Sequence, residues 1–241
     1  MAQDTIYATA KAKVAPFEFD ESVVAVFPDM IARSVPGYTL LLPLIGQIAS
    51  RYAQPNSRCF DLGCSLGAVT LALRQQIQQP GCRITAVDNS SAMIEQCRHI
   101  IAGAGQGLPV DLVEADICQM PISQASVVVL NFTFQFVPTA LRDGLIQRIY
   151  DGLLPGGALI LSEKVILEPP ALDRLLVTLH HDFKRANGYS DLEISQKRTA
   201  LENVLISETV PQHQARLRRA GFVTAELWFQ AFNFVSLLAI K

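Results

Sequence analysis

Short apolar runs alternate with helical periodicity from Arg58 onward, and this alternation limits the possible folds of the chain more than any other feature. The run RCFDLG is followed by AVTLALRQQI, RITAVD by AMIEQCRHII, and VVVLNF by LRDGLIQRIYDGL. Alternating β and α segments are typical of a parallel sheet with helices on both faces. The sequence therefore predicts an α/β fold with a mostly parallel sheet.

The 241 residues are enough for one domain of ordinary to large size, and we expect 1–241 to form it. Helical patterns in 1–55 predict a cap that precedes the βα units of 58–165. A polar region with helical periodicity, 169–211, follows the fifth predicted strand, and we interpret it as an insertion that covers the site. A last helix and a closing hairpin are predicted in 212–241.

Composition and charge exclude several classes of function. Half of the residues are apolar, 17% are charged, and no apolar segment approaches the roughly 20 residues that a membrane-spanning helix needs. The start of the chain lacks a signal-peptide pattern, and the five cysteines form no CxxC pair, which favours reduced thiols, a cytoplasmic setting and no metal site. The net charge of −2 argues against direct binding of nucleic acid.

The segment DLGCSLGAVT, from Asp61 to Thr70, follows a predicted strand and begins a helix. Its glycines permit a ligand to approach the backbone amides at the carboxyl edge of the sheet. The same letters match GxSxG, the nucleophile motif of serine hydrolases, with Ser65 as the nucleophile. A hydrolase would need a histidine at the end of a later strand, whereas all four histidines lie in predicted helices or in the insertion. We therefore favour a nucleotide-type ligand.

Polar residues end the next two predicted strands. RITAVDNS places Asp88 where a carboxylate can accept hydrogen bonds from two ribose hydroxyls, with Asn89 beside the base. VDLVEADI places Asp116 near an exocyclic amine and Ile117 over the base. Each residue alone is equally typical of a turn or a helix cap. Together they predict a nucleoside site.

These residues resemble the class I S-adenosylmethionine-dependent methyltransferase fold, whose first loop usually reads E/DxGxGxG; here Ser65 replaces the middle glycine. More narrowly, VFPDMI, RSVPGY, DLGCSLGA, DNSSAMIEQCR, VVLNFTFQF, HHDFKRANGYSDLEISQKR and ELWFQAFNF resemble the carboxy-S-adenosyl-L-methionine synthase family over nearly the whole chain. The long insertion segment is the most specific of these motifs.

The resemblance implies a Rossmann-like fold with a seven-stranded, mostly parallel sheet, helices on both faces, an N-terminal helical cap and a helical insertion after strand 5. It implies an enzyme that converts S-adenosyl-L-methionine and prephenate to carboxy-S-adenosyl-L-methionine and phenylpyruvate, without a metal. It further implies a homodimer whose product is used by a tRNA uridine carboxymethyltransferase acting on the wobble position.

The resemblance also assigns site residues. It implies that Arg198 holds the transferred carboxylate, as the catalytic residue. The cofactor positions that it implies are Tyr38, Gly63, Cys64, Ser65, Asp88, Asn89, Asp116, Ile117, Asn131 and Arg198. We expect Lys197 to face solvent. Lys184 and Arg185 can attract the prephenate dianion, but we favour a solvated helix face for both. No catalytic base is evident, and we expect Glu163, His180 and His181 to be polar residues that are satisfied locally.

Several alternatives stay open from the sequence. Tyr38 can contact the ligand or only fill the edge of the core, and Asn131 can accept from the methionine ammonium or only end its strand. An ordinary small-molecule methyltransferase would share every cofactor residue and use Arg198 structurally. A non-catalytic protein that binds a nucleoside or acts as a scaffold is the alternative from another class.

Overall fold

The computed structural model describes residues 2–241, so Met1, the first residue of the predicted cap, lies outside the described part. Within these residues eight α-helices occur: α1 (Glu21–Ser34), α2 (Tyr38–Tyr52), α3 (Ala68–Gln76), α4 (Ser91–Gly103), α5 (Thr139–Gly152), α6 (Pro170–Ala186), α7 (Asp191–Leu201) and α8 (Val210–Ala220). A 3-10 turn covers Phe134–Phe136. None of these helices is both long and apolar enough to cross a bilayer.

The same residues form eight strands: β1 (Arg58–Leu62), β2 (Arg83–Asp88), β3 (Val110–Glu114), β4 (Ala125–Asn131), β5 (Leu153–Ile166), β6 (Glu208–Thr209), β7 (Thr224–Ala231) and β8 (Phe234–Ile240). The main sheet has the order β3-β2-β1-β4-β5-β8-β7, and β8 runs antiparallel to the other six strands of this order. The predicted seven-stranded, mostly parallel sheet is confirmed. The two-residue β6 pairs with the end of β5 and was not predicted.

Strand β4 shows why the sheet is covered on both faces. All of its residues from Ala125 to Leu130 are buried. Val128 and Leu130 belong to one hydrophobic core, and Val127 and Val129 belong to another. Because successive side chains of a strand point to opposite faces, these two cores lie on opposite sides of the sheet. A continuous apolar run is therefore required here, as it is in parallel sheets generally.

The cap helices are separated at the predicted break. Helix α1 begins after Asp20, whose side chain accepts a hydrogen bond from Val23 N at 3.0 Å. Gly37 adopts a left-handed φ of 76° between the two helices and allows α2 to begin at Tyr38. This turn places the Tyr38 side chain at the carboxyl ends of the strands.

The region 169–211 is mainly helical, as predicted, and it follows β5 directly. It contains α6, α7 and β6. Helix α7 begins with a capping box in which the Ser190 hydroxyl accepts from Glu193 N and the Glu193 carboxylate accepts from Ser190 N. Helix α6 packs against α1, and thereby lies over the edge of the sheet where the parallel strands end.

Candidate functional site

A cavity of about 890 Å³ lies at the carboxyl ends of the parallel strands. Strand ends form one side of it, and α1, α2, α6, α7 and the residues before α1 cover much of the rest. All ten predicted site residues line this cavity: Tyr38, Gly63, Cys64, Ser65, Asp88, Asn89, Asp116, Ile117, Asn131 and Arg198. The structure therefore brings together residues from six elements and their loops, while the roles of these residues in binding stay predictions.

The glycine loop after β1 needs its first glycine for two reasons. Gly63 has a left-handed φ of 82°, and a Cβ at this position would overlap the Thr133 side chain. The amides of Gly63 and Cys64 both donate to Val87 O, at 2.7 and 2.8 Å, so the loop is fixed to the end of β2. The loop therefore keeps one conformation and leaves room for a ligand beside it.

Ser65 takes the place of the family's middle glycine and adopts a left-handed φ of 49°. Its amide donates to Asp88 Oδ2 at 2.9 Å, and its hydroxyl donates to Met93 Sδ at 3.3 Å. The hydrogen bonds of this hydroxyl within residues 2–241 include no histidine, so it lacks the base that a hydrolytic nucleophile requires. The geometry fits a loop residue and not a nucleophile.

The two strand-end acids are held by backbone amides. Asp88 also accepts from Ser90 N at 3.0 Å, and burial raises the pKa of Asp88. Asp116 Oδ1 accepts from Cys118 N at 2.8 Å. Both carboxylates are thereby oriented before any ligand binds. We call the group Gly63, Cys64, Ser65, Asp88, Asn89, Asp116 and Ile117 the strand-end site.

Two further polar side chains line the cavity at the ends of β1 and β4. Asn131, at the end of β4, has a buried Oδ1 with no hydrogen-bond partner within residues 2–241. On the neighbouring strand Asp61 is buried and accepts from Thr70 Oγ1 at 2.6 Å, and burial raises the pKa of Asp61 to about 7. An amide oxygen and a carboxylate that line a cavity together fit a ligand cation such as an ammonium.

Asp61 was not predicted as a site residue, although it is the first letter of the quoted loop motif. Its position in the acidic place of the E/DxGxGxG pattern was the available signal. The Tyr38 ring belongs to a hydrophobic core and also lines the cavity, so a contact of Tyr38 with the ligand stays a prediction.

The insertion and β5 bring basic side chains to the opposite side of the cavity. Lys164 comes from β5, His181 and Lys184 from α6, and Lys197 and Arg198 from α7. We call these five residues the cationic wall. Arg198 is exposed to the cavity, and its charge lowers the pKa of Lys164 in addition to the larger effect of burial. The wall places several positive charges opposite the strand-end acids.

The predictions for Lys197 and Lys184 are wrong. Only 7% of Lys197 and 9% of Lys184 is exposed, and both line the cavity. Arg185 is exposed as expected and pairs with Asp182 and Asp191 at 2.6 and 2.8 Å. Tertiary contacts explain this burial. The cap and the first residues of the chain cover faces of α6 and α7 whose polar sequence is typical of a solvent-exposed helix.

Burial and mutual repulsion lower the affinity of the wall for protons. The pKa of Lys184 is lowered to about 7. Burial is the largest cause, and the charges of Lys197 and Lys164 are smaller causes of the same shift. Burial likewise lowers the pKa of Lys197 to about 8, although Asp4 lies 4.0 Å away and opposes the effect. Among residues 2–241, Lys164, Lys184 and Arg198 form no ion pair at all.

The three side chains considered as bases have different environments. His180 makes a 2.8 Å hydrogen bond with Ser34 O, as expected of a locally satisfied residue, and burial lowers the pKa of His180 to about 3. His181 lines the cavity. Glu163 is buried outside the cavity lining, and its Oε1 has no hydrogen-bond partner within residues 2–241, so the expectation of local satisfaction is wrong for this atom. Burial raises the pKa of Glu163 well above its usual range.

The first residues of the chain complete the cavity. Gln196 of α7 donates to Tyr7 O and Thr9 O, both at 2.9 Å, and accepts from Lys11 N at 2.7 Å. Phe17 and Phe19 line the cavity. We call residues 2–20 the N-terminal segment; it is held by the same helix that carries Lys197 and Arg198.

No group of three or more His, Cys, Asp or Glu side chains within 2–241 is arranged to hold a metal.

Comparisons with known proteins give a consistent result. A family model described as "Methyltransferase domain" matches residues 60–157. The chain is 62% identical over 239 residues to a carboxy-S-adenosyl-L-methionine synthase of Trichlorobacter lovleyi, covering 99% of this chain and 98% of the relative. It is 61% identical over 239 residues to a carboxy-S-adenosyl-L-methionine synthase of Aeromonas hydrophila, covering 99% and 96%.

Solved structures agree on the fold. An O-methyltransferase family protein from Burkholderia thailandensis matches 92% of this chain with a TM-score of 0.67 and 16% identity. Human N-acetylserotonin methyltransferase in complex with S-adenosylmethionine matches 92% with a TM-score of 0.60 and 18% identity. The chain spans 60% and 55% of the length of these two proteins, respectively. From its fold, its strand-end site and its near full-length relatives, the chain belongs to the carboxy-S-adenosyl-L-methionine synthase family.

Proposed function

We propose that the protein converts S-adenosyl-L-methionine and prephenate to carboxy-S-adenosyl-L-methionine and phenylpyruvate. The observation that carries the proposal is the position of Arg198, which lines the same cavity as the strand-end site and has no acidic partner within residues 2–241. The identity of 62% to a synthase of this name, over 99% of the chain, supports the same reaction.

Electrostatics favour a carboxylated product over the plain substrate. S-adenosyl-L-methionine carries a sulfonium cation, and a guanidinium 5 Å away would repel it by about 3 kcal/mol at an effective dielectric constant near 20. An ordinary methyltransferase gains nothing from such an arrangement. When the methyl group becomes CH₂–COO⁻, the same guanidinium can hold the carboxylate with two parallel hydrogen bonds. We therefore assign to Arg198 the discrimination between the two sulfonium compounds.

The strand-end site is proposed to bind the nucleoside. Asp88 and Asn89 would hold the ribose and the base, and Asp116 and Ile117 would contact the adenine. Asn131 would accept a hydrogen bond from the ammonium of the methionine part, which fits the lack of any other donor to its Oδ1 within residues 2–241. Tyr38 and the loop from Gly63 to Ser65 would enclose the rest of the molecule.

The proposed reaction needs neither a metal nor an external oxidant. The bond between the prephenate ring and its ring carboxylate breaks, its electrons enter the ring, and hydroxide leaves as the ring becomes aromatic. The hydroxide takes one proton from the sulfonium methyl group and becomes water. The electron pair left on that carbon forms a bond to the released carbon dioxide. The products are carboxy-S-adenosyl-L-methionine, phenylpyruvate and water.

A base supplied by the substrate agrees with the surroundings of the candidate side chains. Glu163 does not line the cavity, and His180 is engaged with Ser34 O. We therefore expect Glu163→Gln and His181→Gln to keep turnover within about tenfold of the natural enzyme, since general-base groups normally contribute 10²- to 10⁴-fold. A complete loss of turnover with normal binding of S-adenosyl-L-methionine, in either variant, would identify a protein base instead.

Mass spectrometry tests the reaction and its rivals. Purified protein is incubated with S-adenosyl-L-methionine, with and without prephenate, and the nucleoside is analysed. A nucleoside in which a carboxyl group replaces one hydrogen, formed only with prephenate, supports the synthase. Methyl transfer to an acceptor would support the small-molecule methyltransferase. An unchanged nucleoside after prolonged incubation would favour the non-catalytic binding protein.

We also propose that the protein forms a homodimer in the cytoplasm and supplies its product to a tRNA uridine carboxymethyltransferase. Light scattering of the purified protein tests the dimer, with a monomer as the contradicting result. A coupled assay with tRNA and such a transferase tests the supply. In that assay, a modified uridine should require both enzymes together with prephenate. The net charge of −2 supports the view that this protein does not itself bind the tRNA.

A further inference from the structure

The proposed function leaves part of the cavity without an assigned role. Its volume of about 890 Å³ is near the upper end of the 300–1,000 Å³ that is usual for sites of one drug-sized ligand. The nucleoside and the methionine part are assigned to the strand ends, and the transferred carboxylate is assigned to Arg198. Lys164, His181 and Lys184 also line the cavity but have no function in that scheme.

Two of these side chains lower the stability of the free protein when they are charged. Lys184 is 9% exposed and Lys164 is half-buried, and neither forms an ion pair within residues 2–241. The charges of Lys164 and Lys197 further disfavour the protonated form of Lys184, as its lowered pKa reflects. Buried charges are normally paired, because an unpaired one loses its hydration without compensation. The arrangement is therefore explained by an anion that binds against these two ammonium groups.

The chemistry of the donor indicates which anion this is. Carboxyl transfer requires the departing carboxylate to lie next to the sulfonium methyl group, where Arg198 receives it. Prephenate carries a second carboxylate, which stays on phenylpyruvate. Because Lys164 and Lys184 come from β5 and α6, whereas Arg198 comes from α7, the cavity offers two cationic contacts on separate elements.

We propose that Lys164 and Lys184 form a binding site for the retained carboxylate of a dianionic carboxyl donor, so that its departing carboxylate faces Arg198. This inference rests on the proposed function. The donor site also accounts for the release of phenylpyruvate. Loss of carbon dioxide turns the dianion into a monoanion, which interacts with one fewer cation of the wall. Phenylpyruvate therefore binds more weakly than prephenate.

Steady-state kinetics test the site with Lys164→Met and Lys184→Met, which keep an unbranched apolar side chain of nearly the same length and remove the charge. We expect each substitution to raise the KM for prephenate by about tenfold or more, the usual effect of one charge-assisted hydrogen bond, while the Kd for S-adenosyl-L-methionine changes less than about twofold. Lys184→Arg should recover most of the prephenate affinity. Arg185→Gln is the matched control, since Arg185 is adjacent in sequence and pairs only with surface acids.

Thermal unfolding provides a second measurement that separates binding from folding. Removal of an unpaired buried charge should leave the Tm of free Lys184→Met equal to or above that of the natural protein. Prephenate should raise the Tm of the natural protein and of Arg185→Gln, but should raise that of Lys184→Met much less. A free Lys184→Met protein with a lower Tm and an unchanged prephenate-induced shift would assign a structural role to this lysine and overturn the inference.

The two proposals fail in different ways. If the natural protein forms the carboxylated nucleoside from prephenate, yet Lys164→Met and Lys184→Met show the KM of Arg185→Gln, the donor site is wrong and the reaction stands. If the natural protein forms no carboxylated nucleoside with prephenate, the proposed function is wrong, and the donor site that rests on it is withdrawn with it.

Discussion

The two sides of the cavity carry opposite charges and are stabilised in different ways. The strand-end site has acids whose oxygens accept backbone hydrogen bonds, as Asp88 does from Ser65 N and Ser90 N. The cationic wall has buried ammonium groups, and Lys184 has no acidic partner within residues 2–241. The first region is therefore organised by the protein alone, whereas we expect the second to gain stability when an anion binds. Nucleoside binding and donor binding should respond differently to mutation and pH.

The largest effect is expected at Arg198 of the cationic wall. Arg198→Ala should lower the rate of carboxy-S-adenosyl-L-methionine formation by about a hundredfold or more, because a bidentate, charge-assisted contact is lost. Affinity for plain S-adenosyl-L-methionine should stay the same or increase, since a repelling charge is removed. Calorimetric titration with the two nucleosides measures this difference. Equal losses of affinity for both would show that Arg198 does not discriminate between them.

The pH dependence of stability should distinguish the cationic wall from the rest of the protein. The pKa of Lys184 is lowered from 10.5 to about 7 on folding, so between these pH values the unfolded state binds more protons. The contribution of Lys184 to stability therefore rises with pH over this window, by about 1 kcal/mol per pH unit near its middle. The charged and titratable groups around it are Lys164 on β5, His180 and His181 on α6, Lys197 on α7 and Asp4 in the N-terminal segment.

Chemical denaturation of the free protein from pH 7 to pH 10 measures this contribution. Lys184→Met should be more stable than the natural protein at pH 7, and the difference should shrink as the pH rises towards 10. Arg185→Gln should show a constant difference, because arginine stays charged throughout this range. A difference between Lys184→Met and the natural protein that does not change with pH would exclude a buried, titrating lysine.

A smaller loss is expected from Gly63→Ala in the strand-end site. The new Cβ would overlap Thr133 and would have to adopt a φ of 82°, which together should cost about 2 kcal/mol of unfolding free energy and weaken nucleoside binding. Gly144→Ala in α5 is the matched control, because its Cβ would meet nothing within 4 Å. That control should be stabilised by about 0.5–1 kcal/mol. Similar stabilities of the two variants would contradict the close contact at Gly63.

The smallest effect is expected at Gln196, which connects the N-terminal segment to the wall. Gln196→Ala removes three hydrogen bonds to this segment and should cost about 1–2 kcal/mol locally. Hydrogen exchange of residues 2–20 should become faster, while exchange at the strand-end site should not change. Unchanged exchange in the segment would mean that Phe17 and its other apolar contacts hold it without Gln196.

Local rules were sufficient for the strand-end site. Gly63 follows β1, Asp88 ends β2 and Asp116 follows β3 by two residues, and parallel strands necessarily end at one edge of the sheet. The sequence therefore placed them together without knowledge of distant contacts. Asn131 was also predicted, but the absence of a partner for its Oδ1 depends on which groups close around it, and periodicity carries no such information.

Local rules failed for the cationic wall. The helix α7 has a polar sequence with Gln196 and Lys197 side by side, which is typical of an exposed helix. Both residues are buried because the N-terminal segment, almost the whole chain away in sequence, packs over them. A single sequence does not reveal which residues cover a polar helix face at that distance. Arg198 was assigned from the family resemblance and not from its pattern.

The attachment of the N-terminal segment to α7 has a consequence during synthesis of the protein. Tyr7 and Thr9 are synthesised long before their hydrogen-bond partner Gln196, which follows them by 189 and 187 residues. The pocket therefore cannot close before most of the polypeptide has been translated. Chains that terminate before α7 would lack the contacts that Lys197 and Ala200 make with Phe17, and exposed aromatic surfaces are recognised by chaperones and proteases.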